Sequence, residues 1–260
     1  MRILLHIFII ILLTILTQIG GVIYIFALWF SRQKKRNFTL RFIGLYLIAT
    51  FLFVPLLAPL FGRKKIKESK IITANSFITK LFNRNYVQPE LNKVIQATAI
   101  EFTKSYPNLK LVYLDANFPF INKFPLLPHL SHNDGKKVDL AFIYTDKQGK
   151  LTNQKPTISG YGYFAPVKKD EDNQTKYCKQ KGYFQYDYPK YFTFGTVHPN
   201  LQLAEKPTKK LIEILANQSQ IGKIFIEPNL KKRLKLNSSK IRFQGCRSVR
   251  HDDHVHVQLK

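Results

Sequence analysis

Two long uncharged runs open the chain. From Ile3 to Phe30 there is no Asp, Glu, Lys or Arg, and a second such run extends from Phe42 to Gly62. About 20 apolar residues cross the hydrocarbon core as a helix, so the pattern predicts a transmembrane helical hairpin over residues 1–62. Between the runs lies Ser31-Arg-Gln-Lys-Lys-Arg36, with Arg41 close behind. Basic residues in short loops stay on the cytoplasmic side, which leaves both ends of the hairpin facing out. Arg63, Lys64, Lys65 and Lys67 pull the other way, but a long domain that follows translocates with less regard to such charges. A cleaved signal peptide fits less well, because the first run exceeds a signal h-region and Thr17-Gln-Ile-Gly-Gly21 is not an A-x-A site.

Beyond the runs the periodicity changes. Residues 63–108 read as a basic linker followed by a helix, whose apolar positions Leu91, Val94, Ile95, Ala99 and Phe102 recur at helical spacing up to Ser105. Leu109–Leu114 and Val138–Tyr144 read as strands, and Lys147-Gln-Gly-Lys150 as the turn of a hairpin. Pro207–Asn217 reads as a helix, Lys223–Ile226 as a buried strand, Asn229–Leu236 as a short helix and His254–Leu259 as a terminal strand. Gly160 to Phe194 is rich in Tyr and Phe. This insertion, near residues 154–200, is either a substrate-covering loop or an aromatic hairpin packed on its own sheet. The fold class is therefore α+β: two transmembrane helices, then a domain over residues 109–260 with a small antiparallel sheet and flanking helices.

Composition narrows the chemistry. The 260 residues carry 41 Lys and Arg against 16 Asp and Glu, a formal charge of +25, and 45% are hydrophobic. That apolar content excludes a disordered chain. The charge suits an anionic polymer, anionic lipid or nucleic acid equally. Two cysteines, Cys178 and Cys246, exclude a disulfide-dense scaffold and a four-cysteine zinc site. They allow one bridge if the domain is exported. Any metal must then use histidine and carboxylate.

Five of the seven histidines fall in two short windows: His129 and His132, then His251, His254 and His256. On a strand His254 and His256 share one face while Val255 and Val257 take the other. A catalytic zinc takes three protein ligands and keeps one position open, and His132, Asp139 and His256 would supply the three.

Together Ser131-His-Asn-Asp-Gly-Lys-Lys-Val-Asp139 and His251-Asp-Asp-His-Val-His256 resemble the signature of the LAS metallopeptidases, and most of all that of the penicillin-insensitive murein endopeptidases. Ile224-Phe-Ile-Glu-Pro-Asn-Leu-Lys-Lys-Arg-Leu234 is similar to the strand and helix that precede the last histidines there. The resemblance covers roughly residues 109–260. It implies that His132, Asp139 and His256 hold Zn2+ and that His254 is a non-ligand histidine in proton transfer, with His251 second. His129 and His251 match further active-site histidines, and His129 is assigned to substrate binding. Asp252 and Asp253 are possible bases or orienting partners, with a hydrated turn the simpler reading for Asp252. The implied substrate is a peptide crosslink of bacterial peptidoglycan, cleaved by a domain on the periplasmic or extracellular side of the membrane, with no nucleic acid partner. Two departures stand out: a membrane hairpin with only two cysteines, and Arg247-Ser-Val-Arg250 where the family has a Trp. Three alternatives remain open. A D-Ala-D-Ala carboxypeptidase would need a carboxylate clamp such as Arg250 or Arg247. A non-catalytic zinc-dependent module in the manner of hedgehog would keep the ligands, and a basic polymer-binding module would need no metal. Oligomeric state leaves no mark in the sequence.

Overall fold

In the computed structural model, which describes residues 2–31 and 37–260, the first apolar run forms two helices, α1 (Arg2–Thr17) and α2 (Gly20–Ser31). Gln18 sits at φ +68° and breaks the run. The Thr17 hydroxyl donates to the Leu13 carbonyl at 2.8 Å and accepts from the Gly20 N–H at 2.8 Å, capping the start of α2. The two helices pack closely: a Cβ on Gly21 would lie 2.0 Å from Thr14 Oγ1 and 2.6 Å from the Ile10 carbonyl oxygen. With 16 and 12 residues, at ~1.5 Å each, neither helix matches the ~30 Å hydrocarbon core. The expected single span over this run is therefore not borne out; the run forms two shorter apolar helices. The second run is α3, Phe38–Phe61, which is long and apolar enough to cross a membrane and is the one such helix among the described residues. Ala49–Phe53 within it is a π-turn, just before Pro55, whose missing N–H and bulky ring disturb the regular ladder. Of the basic loop between the runs, Arg32 to Arg36 lie outside the described residues.

The chain divides into two units. One contains residues 1–66, 77–89 and 116–136. Here Lys64–Lys65 pairs antiparallel with Tyr86–Val87. Arg63, expected as solvated linker charge, is only 1% exposed, and its guanidinium donates to the Phe118 carbonyl and to Asn122 Oδ1. The segment 116–136, which carries His129 and His132, belongs to this unit.

The second unit holds residues 67–76, 90–115 and 137–260. Its sheet is built from β1 (Ile72–Ala74), β2 (Leu111–Tyr113), β3 (Lys137–Ala141), β4 (Ile221–Phe225), β5 (Ile241–Arg242) and β6 (His254–Leu259), in the order β5-β4-β6-β3-β2-β1. The centre is antiparallel, as expected, but both edge pairs are parallel, so the sheet is mixed. Parallel neighbours need a crossover. Helix α4 (Pro89–Ser105) falls between β1 and β2, whereas α5 (Glu205–Asn217) precedes β4 and α6 (Pro228–Arg233) falls between β4 and β5. Val255 and Val257 stand opposite Leu140 and Val138 on the face away from the histidines, and all four are buried.

The strand expected over Val138–Tyr144 stops at Ala141, and Tyr144–Thr145 joins a separate three-stranded sheet with Leu151–Thr152 and Gln202–Leu203. Side chains interrupt the ladder between them: Thr208 Oγ1 accepts from the Ile143 N–H at 3.2 Å and Lys155 Nζ donates to the Phe142 carbonyl at 3.1 Å. The turn at Lys147–Lys150 closes as expected, with the Asp146 N–H donating to the Lys150 carbonyl. The insertion is not an aromatic hairpin. It contains a helix over Gln174–Gln180, capped by the Asn173 side chain, and a 3-10 segment over Phe184–Tyr191. Cys178 and Cys246 are bridged, with their Cα atoms 5.2 Å apart.

Candidate metal centre

Strand register builds the site. Asp139 on β3 stands directly opposite His256 on β6. The Asp139 N–H donates to the Asp115 carbonyl and its own carbonyl accepts from the Leu114 N–H, so both backbone groups turn toward the β2 side. Asp139 and His256 are therefore a non-hydrogen-bonded pair, the kind in which Cα atoms approach to ~4.5 Å and side chains crowd together. Asp139 Oδ1 lies 2.9 Å from His256 Nδ1. His254, two residues earlier on the same face, brings its Nε2 to 3.6 Å from that oxygen. All three side chains are buried.

The other window contributes from its loop. His132 Nδ1 lies 2.7 Å from the Ala116 carbonyl, which only accepts, so Nδ1 is the donor in that bond. A metal-ligating histidine is held in this way, with its second nitrogen on a backbone carbonyl. Donor atoms of His129, His132 and Asp139 all lie within 4.8 Å of one another, so this buried triad could hold a metal ion. His129 therefore stands with the metal-competent groups, although the sequence assigned it to substrate. His256, assigned as a ligand, is held against Asp139.

Around these groups is a shell of oriented partners. His254 Nδ1 meets Asp253 Oδ1 at 2.5 Å, leaving Nε2 as the atom that faces Asp139. Asp253 Oδ2 accepts from the Gly162 N–H at 2.6 Å, and the Tyr161 hydroxyl donates to Asp139 Oδ2 at 2.8 Å. The His251 ring lies 5.1 Å from that of His254 and 5.6 Å from that of His256, centroid to centroid. Its backbone N–H donates to Glu227 Oε1 at 2.9 Å, while Tyr186 donates to Glu227 Oε2 at 2.6 Å. Burial, with the nearby Asp252 charge adding to it, pushes the Glu227 carboxyl up to about 7.

Two expected roles change. Asp252 is no hydrated turn: it is 2% exposed and takes both arms of the Arg250 guanidinium. Arg250 is thereby spent on Asp252, and its guanidinium lies 3.7 Å from the centroid of the Phe164 ring, so it is not poised as an open carboxylate clamp. Arg247 is exposed. The sequence reading missed Tyr161, Tyr186 and Glu227. Glu227 had a local signal, standing just before Pro228 at the start of a helix; the two tyrosines had none beyond the aromatic richness of their segment. Compared with known proteins, the chain matches no protein-family model and no curated protein.

Proposed function

We propose that the chain is a membrane-anchored zinc metallopeptidase of the LAS type, acting as an endopeptidase on peptide crosslinks of bacterial peptidoglycan. The observation that carries this reading is the set of buried metal-type donors: Asp139 with His256 and His254 on the paired strands, and His129 with His132 in their loop. Two imidazole nitrogens and one carboxylate oxygen, dry and pre-oriented, suit Zn2+. His132, Asp139 and His256 would hold the ion. Bound there, zinc would polarise a substrate carbonyl and bring the pKa of a water to about 7. The chain's own residues would manage the protons. Asp253 fixes His254 through Nδ1, so a proton is taken up and released at Nε2, the atom on the metal side. His251, anchored through its backbone by Glu227, packs against both other histidines and limits their movement.

Three further observations support the substrate and compartment. A cleft of about 790 Å³ is lined by Lys176 and Lys179, by Arg250 in its pair with Asp252, and by the apolar wall Phe164–Val167. Such a lining suits a carboxylate-rich peptide. That wall adjoins the histidine motif, because the Ala165 N–H donates to the Asp252 carbonyl. The Cys178–Cys246 bridge fits an exported domain, and α3 offers the anchor. Commitment of Arg250 to Asp252 favours an endopeptidase over a carboxypeptidase that must clamp a terminal carboxylate. The test incubates the full chain in detergent with crosslinked wall peptides, with and without chelator, and follows products by mass. Uncrosslinked peptides that appear only without chelator support the reading. Intact crosslinks at full zinc occupancy refute it.

A further inference from the structure

The aromatic insertion meets Asp139 and Asp253 through Tyr161 and Gly162. We infer that this segment is the positioning element of the metal centre, with Tyr161 fixing the Asp139 carboxylate and Gly162 fixing Asp253. The inference rests on the zinc reading above and adds to it how the site is regulated: by the insertion.

Asp139 has two oxygens with two tasks. Oδ1 faces His256 Nδ1 at 2.9 Å and His254 Nε2 at 3.6 Å, while Oδ2 accepts from the Tyr161 hydroxyl at 2.8 Å. The terminal torsion of an aspartate is broad and two-fold, so nothing intrinsic decides which oxygen points at the histidines. The buried tyrosine hydroxyl decides it. Asp253 is treated alike: Oδ2 takes the Gly162 N–H at 2.6 Å, and Oδ1 is left for His254 Nδ1 at 2.5 Å. The Tyr161 ring also stands edge-on to His254, with centroids 5.0 Å apart at 82°. One short segment therefore orients a ligand carboxylate and the proton-transfer histidine together.

The segment is itself held by both arms of the insertion. Thr157 Oγ1 donates to the Tyr161 carbonyl at 2.8 Å and Ser159 Oγ accepts from the Tyr161 N–H at 3.1 Å. From the far arm, the Thr193 carbonyl accepts from the Ser159 N–H and the Gly195 carbonyl from the Ile158 N–H, both at 3.0 Å. Gly162 has φ +76°, and a Cβ there would lie 2.5 Å from the Pro189 carbonyl oxygen. Backbone conformation and space both demand glycine. The far arm is thus linked to Asp139 through the Tyr161 hydroxyl and to Asp253 through the Gly162 N–H.

The test measures zinc affinity by chelator competition on the full chain in detergent, for wild type, Tyr161→Phe and Tyr163→Phe. Tyr163 bonds only the Pro199 and Leu201 carbonyls in that same insertion and serves as the control. Loss of one outer partner of a metal ligand costs about 10- to 100-fold in metal affinity. Tyr161→Phe should weaken zinc by that factor and also lower the metal-free unfolding temperature, because it strips a donor from a buried carboxylate. Tyr163→Phe should match wild type in both. Equal zinc affinity in Tyr161→Phe and wild type overturns the inference alone, as does an equal loss in both variants. A wild-type chain that binds no zinc overturns the proposed function and, with it, this inference.

Discussion

Which imidazole completes the metal set is decided by comparing His256→Ala with His129→Ala. A structural zinc contributes about 10–16 kcal/mol in binding, so a share of three or four ligands is about 4 kcal/mol, or roughly 10³ in affinity. His256 lies on β6, paired on one side with β3 and on the other with β4, and its Nδ1 is 2.9 Å from Asp139 Oδ1. Little ordering remains to be done there when an ion binds. His129 is also buried, but it stands in the loop between Ala116 and Lys136 and not on a paired strand, so holding it on an ion costs more ordering. His256→Ala should therefore weaken zinc by about 10³-fold. It also strips a partner from a buried carboxylate, lowering metal-free stability by about 1–3 kcal/mol. His129→Ala should stay within about tenfold of wild-type affinity. Zinc stoichiometry together with chelator competition reads both numbers. If His129→Ala empties the site while His256→Ala remains fully loaded, the reasoning from strand register is wrong and the geometric triad of His129, His132 and Asp139 is the true ligand set.

Three more outcomes follow from the same contacts. His254→Ala should keep zinc at full stoichiometry and lower turnover by about 10² to 10⁴, the contribution of a positioned acid or base; loss of metal would make His254 a ligand. Glu227 is raised from 4.5 to about 7 in the fold, so stability should be complete below pH 4.5 and fall as pH rises toward about 7, by roughly 3 kcal/mol. Denaturant melts of Glu227→Gln should be flat across that window, and an unchanged slope would remove Glu227 as the cause. Reducing Cys178–Cys246, whose partners are 68 residues apart, should cost about 4 kcal/mol through the entropy of the opened loop. Calorimetry with and without reductant reads the loss, and an unchanged unfolding temperature refutes it.

What the sequence made legible follows how local the cause is. Leu91 to Ser105 shows its helix because one face repeats at 3.6 residues, and the Lys147–Lys150 turn shows itself through glycine. The break at Gln18 was hidden inside an unbroken apolar run, since a run of Ile and Leu reports hydrophobicity and not continuity. Only the Thr17 hydroxyl turning back onto Leu13 and forward onto Gly20 ends the helix. The parallel edge strands were hidden for another reason: pairing β1 with β2 and β4 with β5 is a choice of neighbour, and edge strands of three and two residues carry no pattern that names one.

The site shows the same division more sharply. Asp139 and His256 could be singled out because each sits in a dense local motif, yet their separation of 117 residues is closed only by the insertion of β6 between β3 and β4. Tyr161 is 22 residues from Asp139, and Gly162 is 91 from Asp253, with no motif at the tyrosine and glycine ends of those links. Residues that touch a metal must be particular types at particular spacings, so they leave a sequence signature. Groups that only aim those residues can be any donor on any segment that arrives. Here the arriving donors are a tyrosine hydroxyl and a backbone N–H, and a backbone N–H exists at every residue but proline. Half of the orienting shell was therefore written in a group that every sequence contains, and only the register of the folded chain could reveal it.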